Sequence, residues 1–404
     1  MPSIFLFGVI IAAAFFFGGL ANKLKLPKIT GFIIAGIILN PSLTHFIPAD
    51  FASQATPITN IALAFITFAV GGALWYPRIK KLGKDIFYIT IFEAEFSFLA
   101  VAIGSCLALP FFLHSSTATW TTVFIPLSLL LAALAAPTDA SGILAVVHQY
   151  KAKGPVTSTI IAVDAVDDVF GIINYSIATV VASAMIMQHS FSLQSFFREP
   201  FVIIAGSILL GIALGIIFNL LSPFVKKGSE GVLIIMVLGL LSLGFGLATM
   251  LGIDELLVTM VMGIAVVNFN VHKDEIFRIL ERYTEQLILL LFFTLSGMYL
   301  NLVNFADSLI FILLFFVFRT IGKYTGTMLG GFLAKAPVNV RKHTAGGLIP
   351  LGGITVGLAL MMKEKPVFGA ISDFIISIII GSTVVHEIIG PIMTKWTLKK
   401  AGEI

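Results

Sequence analysis

The chain has 404 residues, 58% of them hydrophobic and 11% charged, with a mean hydropathy of +1.04 and a formal net charge of +4. A soluble domain carries about 25% charged residues, and a shortfall spread along the whole length makes lipid the solvent. The single cysteine, Cys106, excludes a disulfide framework and a thiolate metal cluster.

A helix that crosses a bilayer needs about 20 apolar residues. Apolar stretches between polar punctuation predict about 13 helices, at residues 4–21, 29–40, 57–76, 86–109, 121–147, 156–187, 201–221, 231–250, 252–269, 286–301, 308–334, 344–362 and 367–394. The second and ninth are short. The first has no basic residues before it and no small-residue cleavage site, so it reads as a retained span and not a signal peptide. No soluble module or Gly-rich phosphate loop follows the last segment, and the chain reads as one transmembrane domain, all-α and polytopic.

Basic residues gather on the inner side of membranes. With the N-terminus outside and the segments alternating, the inner loops hold Lys23, Lys25, Lys28, Arg78, Lys80, Lys81, Lys84, Lys151 and Lys153. Further along they hold Lys226, Lys227, Lys273, Arg278, Arg282, Lys335, Arg341, Lys342, Lys395, Lys399 and Lys400. Only Arg198, Lys363 and Lys365 fall outside. The C-terminus is then cytoplasmic, in a multi-pass protein of the cell inner membrane. The bias also accounts for the basic balance with no nucleic-acid partner.

A faint repeat runs through the chain. Residues 31–40 (GFIIAGIILN) resemble 259–268 (TMVMGIAVVN), and 65–74 (FITFAVGGAL) resemble 291–300 (LFFTLSGMYL), at offsets of 226 to 228 residues. The matched segments run in opposite directions, which predicts a 6+1+6 plan of inverted repeats. Repeat one spans about 1–190, a linker helix 201–221, and repeat two about 231–396.

Two segments are interrupted in mid-run, the fifth by Pro137-Thr138-Asp139 and the twelfth by Pro350 and Gly352-Gly353. Proline removes a backbone donor, and irregular backbone at membrane depth survives only where it is packed in protein or lines a cavity. Two broken, crossing helices are therefore expected, although simple kinks would leave the same mark. The sixth segment carries Asp164, Asp167 and Asp168 in DAVDD. Their i, i+3, i+4 spacing points all three broadly one way. An ionised carboxylate at mid-bilayer costs about 3 kcal/mol, so these groups must be protonated, paired or cation-bound. Arg319 and Lys323, in the eleventh segment, are the only basic residues inside an apolar run. They need a buried anion, for which the sixth segment is the obvious source. Lys323 is the better proton-active choice, because burial shifts a lysine while arginine stays charged.

KLPKITGFIIAGIILNPS, APTDA, DAVDD, GKYTGTMLGG and HEIIGPIMTKWTLKKAGE follow one another along the chain. Their ordered set resembles the monovalent cation/proton antiporter superfamily, specifically its second branch of bacterial Na⁺(K⁺)/H⁺ exchangers. The resemblance implies a secondary antiporter that exchanges protons for a monovalent cation, Na⁺ or Li⁺, in the service of pH homeostasis. It implies Asp168 as the main ion and proton ligand, Asp167 as its partner in a switchable salt bridge to Lys323, and Thr138 and Asp139 as ligands from the broken helix. Na⁺ would then rest on Asp168, Asp167 and Thr138, with no cofactor. Paired aspartates with a lysine go, within the resemblance, with two protons per Na⁺, hence electrogenic exchange by a homodimer. Asp164 lies outside the motif core and Arg319 is accessory. Of Glu93 and Glu95, whose alternation separates their faces, one would line an inner funnel and the other the interface. Glu387, before Gly390-Pro391, reads as structural. The alternatives are a K⁺/H⁺ antiporter or K⁺ efflux transporter, a Na⁺-coupled organic solute symporter, and an intramembrane aspartyl protease. The last lacks the Gly-x-Gly-Asp setting it needs.

Overall fold

The computed structural model describes residues 3–24, 26–44, 47–48, 51–113, 119–187, 193–225, 230–282, 286–300 and 305–404, and is all-helical, with no strand among the described residues. Lys25, Lys226 and Lys227 of the basic loops lie outside them, as do the side chains of Arg78 and Lys81. Helix is what lipid demands, because it satisfies backbone polar groups within one segment.

The main helices are α1 (Ser3–Lys23), α2 (Lys28–Ile38), α3 (Thr56–Ala73), α4 (Tyr76–Phe112), α5 (Ile125–Ala133), α6 (Ala140–Tyr150), α7 (Pro155–Ile186) and α8 (Leu193–Leu221). They continue with α9 (Glu230–Leu251), α10 (Glu255–Phe269), α11 (Gln286–Met298), α12 (Phe305–Leu333), α13 (Val338–Gly347), α14 (Gly353–Glu364) and α15 (Gly369–Ala401). Among the described residues, α1, α3, α4, α7, α8, α9, α12 and α15 are long and apolar enough to cross a membrane. The remaining predicted segments are helical but shorter or interrupted. The tenth is short as well as the second and ninth, for α11 has only 13 residues.

The fifth segment unwinds between α5 and α6, at 134–139, and the twelfth between α13 and α14, at 348–352. The unwound stretches cross in contact. The Asp139 amide donates to the Pro350 carbonyl at 3.3 Å, and a β-carbon on Gly352 would stand 2.5 Å from the Thr138 carbonyl oxygen. Only glycine admits such an approach.

Glycines also bring whole helices together, as membrane packing favours. Gly322, Gly326 and Gly330 form a stripe on α12, and β-carbons there would lie 2.6, 2.2 and 2.7 Å from the carbonyl oxygens of Phe96, Phe92 and Tyr88 on α4. Gly36 of α2 meets Gly297 of α11, and Gly71 of α3 meets Gly263 of α10. These two crossings exchange their members at the offset of the sequence repeat. At the far end of the chain, the Glu403 carboxylate accepts from the Val156 and Thr157 amides, each at 2.7 Å, and so caps the first turn of α7.

Candidate functional site

The α4–α12 stripe sets Lys323 opposite Glu93, and both side chains are fully buried. The Lys323 ammonium donates to Glu93 Oε1, to the Ala136 carbonyl at 2.8 Å and to Thr138 Oγ1 at 2.9 Å. The Thr138 hydroxyl in turn donates to Asp167 Oδ2, which stands 3.6 Å from the ammonium. A continuous polar relay therefore runs from Glu93 through Lys323 and Thr138 to Asp167.

Of the two glutamates, Glu93 is fully buried against Lys323 and lines no open funnel. Two residues along a helix turn by about 200°, so Glu93 takes the α12 side. Glu95 is only half-buried and accepts from Asn174 Nδ2 at 3.3 Å. Nothing in residue spacing pairs α4 with α12. The Gly322 to Gly330 stripe beside Lys323 was the available signal.

The three aspartates of α7 also part company. Successive residues differ by about 100°, so Asp167 turns into the crossing while Asp164 and Asp168 face a cavity of about 330 Å³. Thr138, Asp139 and Gly352 line the same cavity. Asp139 caps α6, accepting from the Gly142 amide at 2.9 Å. Glu387, on α15, is fully buried with its carboxyl facing Asp139.

Among the described residues, Arg319 forms no ion pair with a carboxylate, contrary to expectation. Its guanidinium reaches both unwound stretches, donating to Ala135 O at 2.9 Å and Pro137 O at 2.7 Å on one, and to Ile349 O at 2.7 Å and Pro350 O at 3.2 Å on the other. Broken helices leave carbonyls without amide partners, and one planar fork reaches four carbonyls here, of which Pro350 O also accepts from the Asp139 amide. Arg319 thus ties the two broken helices together.

The balance of charge is lopsided. Glu93, Asp139, Asp164, Asp167, Asp168 and Glu387 surround Arg319 and Lys323. Burying a charge without compensation costs several kcal/mol, so the surplus carboxylates require protons or cations. Asp167 Oδ2 is engaged with Thr138 and Lys323, while Oδ1 of Asp164, of Asp167 and of Asp168 each lack a hydrogen-bond partner. Among the described residues, no three His, Cys, Asp or Glu side chains are spaced to hold a metal ion together.

The fold and sequence have clear relatives. The chain superposes on the sodium proton antiporter MjNhaP1 from Methanocaldococcus jannaschii at pH 8, with a TM-score of 0.79, 20% identity and 98% of each chain covered. An electron-microscopy structure of the same antiporter matches with a TM-score of 0.71 and 20% identity, over 100% of this chain and 99% of that one. No curated protein sequence matches significantly. The profile described as "Sodium/hydrogen exchanger, transmembrane" matches residues 11–400. With that match over almost the whole length, the chain belongs to the sodium/hydrogen exchanger family.

Proposed function

We propose that this exchanger trades protons for a monovalent cation, Na⁺ or Li⁺ foremost, with net movement of charge across a cell inner membrane. The observation that carries the reading is the division of labour on α7. Asp168 opens to a cavity while its neighbour Asp167 is held by Thr138 beside the buried Glu93–Lys323 pair.

A small cation and a proton compete for the same Asp168 oxygens, because either one cancels the buried charge. If the site changes sides only when so neutralised, exchange is obligatory. The second proton of a two-for-one exchange belongs to the group formed by Asp167, Lys323 and Glu93, whose members titrate as one unit. Asp139 contributes from the cap of α6, and Arg319 holds the crossing rigid. Glu387 supports Asp139 from behind, and Glu95 braces α7 through Asn174.

Sidedness follows from charge. The cavity shares Ala73, Ile161 and Ala165 with a second of about 240 Å³ lined by Ile79 and Ser158, which lie close in sequence to Lys80, Lys84, Lys151 and Lys153. Those residues mark the cytoplasmic side, so the site opens inward. The matched glycine crossings support inverted repeats, about 1–190 and 231–396, around a linker helix at 201–221. The resemblance carries a homodimer as the expected assembly. K⁺ is the second reading, because the same oxygen types serve it.

The deciding experiment is dissipation of an imposed pH gradient in proteoliposomes, titrated in turn with Na⁺, Li⁺ and K⁺ and repeated at clamped membrane potentials. Dissipation driven by Na⁺ and accelerated by potential is expected. A response to K⁺ alone would overturn the ion assignment, and indifference to potential would overturn net charge movement.

A further inference from the structure

Asp164 is used neither by the relay nor by the ion ligands above, yet the fold spends a buried carboxylate on it. The side chain is 8% exposed, and its Oδ1 is sealed from solvent with no hydrogen-bond partner. It lines the same cavity as Asp168, one helical turn nearer the N-terminus of α7, which is about 6 Å along the axis. The second cavity lies beyond it in that direction, against Ser158 and Ala162, and shares Ile161 and Ala165 with the first. Among the described residues, that second cavity has no charged group in its lining. An ion moving inward along α7 from the Ser158 end therefore reaches Asp164 before Asp168.

We propose that Asp164 is a second cation-binding carboxylate, a staging site where a partly hydrated monovalent cation docks before passing to Asp168. The proposal rests on the antiporter reading and adds a second ligand position to its path. The walls around Asp164 are apolar, including Ile161, Phe65 and Ile288. In such low dielectric a single carboxylate attracts a cation much more strongly than in water. The cavity also holds roughly ten waters at about 30 Å³ each, enough to leave the docked ion part of its shell. Handover over one helical turn then replaces water with Asp168 and Thr138 oxygens in steps. Asp164 sets how much cation the site captures, and Asp168 sets whether exchange occurs.

The experiment measures the cation dependence of pH-gradient dissipation in proteoliposomes of the full chain, with Na⁺ presented at the face carrying the cavity mouth. Asp164→Asn is expected to raise KM for Na⁺ about tenfold, a loss of 1.4 kcal/mol, while lowering the maximal rate no more than twofold. Ile161→Asp added to that variant restores a carboxylate one turn along the same cavity and is expected to recover most of the KM. Asp164→Glu keeps the charge and holds KM within twofold, and it serves the test should the asparagine variant fail to fold. An unchanged KM in Asp164→Asn, or a KM shift that Ile161→Asp leaves untouched, overturns the staging site. Unchanged KM with a collapsed rate in Asp164→Glu does the same, by making the residue structural. A wild-type protein silent toward every monovalent cation would instead sink the antiporter reading itself.

Discussion

Glu93 and Lys323 form a fully buried ion pair between α4 and α12, and the Thr138 hydroxyl links that pair to Asp167. The lysine therefore has two acidic neighbours, one in direct contact and one 3.6 Å away. Removing one member of a buried pair leaves the other charge uncompensated, which costs about 3–5 kcal/mol. Glu93→Gln and Lys323→Gln are each expected to lower thermal stability sharply. The double variant recovers part of the loss, because Glu93 is no longer left as a lone charge, although Asp167 still loses its cation. Thermal unfolding of the three variants in detergent completes a double-mutant cycle. Additive losses would show that the pair contributes nothing as a pair.

The two adjacent aspartates carry different expectations. Asp168→Asn removes the carboxylate open to the cavity and is expected to abolish exchange at every pH. Asp167→Asn removes the negative charge beside Lys323 and is expected to retain slowed exchange with altered charge per cation. Reversal potentials in proteoliposomes read that ratio. Normal pH-dependent exchange by Asp168→Asn would assign the ion to another carboxylate.

Arg319 joins the two unwound stretches through four carbonyls. Hydrogen bonds from a charged donor contribute about 1.5–3 kcal/mol each, and lysine lacks the planar fork that makes four at once. Arg319→Lys is expected to lose several kcal/mol of stability and most transport while keeping its charge. A variant with wild-type melting and exchange would show that the fork geometry does not matter.

The breaks at Pro137 and Pro350 and the buried Lys323 were legible in the chain, because proline chemistry and lipid solvation act on one segment at a time, whereas the three aspartates of α7 do not share the single face their spacing suggested. Glu93 was not legible as the lysine's partner, since that contact depends on how α4 and α12 approach through Gly322, Gly326 and Gly330. Helical spacing separated Asp167 from Asp168 by about 100°, but which face met the crossing depended on helices distant in sequence. The carbonyl role of Arg319 was hidden for the same reason. Its partners are backbone atoms freed by two breaks some 210 residues apart, at Pro137 and Pro350, and backbone atoms leave no trace in residue type.

The glycine stripe itself is open to test. A β-carbon at Gly326 would lie 2.2 Å from the Phe92 carbonyl oxygen, whereas one at Gly8 meets nothing within 4 Å. Gly326→Ala is expected to push α4 from α12, lengthen the Glu93–Lys323 contact and cost about 1–3 kcal/mol, the usual range for overpacking. Gly8→Ala should leave melting within about 0.5 kcal/mol of wild type, as surface changes do. Equal effects at the two positions would mean that α4 and α12 do not depend on close approach.

Opposite the cavity mouth, α7 is latched to the start of α10. The Ser176 hydroxyl donates to Asp254 Oδ2 at 2.7 Å, while Asp254 Oδ1 caps α10 at the Leu257 amide. Removing the hydroxyl frees α7 at that end and spares the cap. A single hydrogen bond contributes about 1 kcal/mol, so Ser176→Ala is expected to shift the balance toward an outward-opening state about fivefold. A Thr179→Cys reporter in a Cys106→Ser background measures this, because Thr179 sits one turn beyond the latch and is almost fully buried. Its labelling by an impermeant thiol reagent added outside should rise with Ser176→Ala and return to baseline when Ser176 is kept. Labelling that stays constant would make the Ser176–Asp254 contact a passive part of α7 packing.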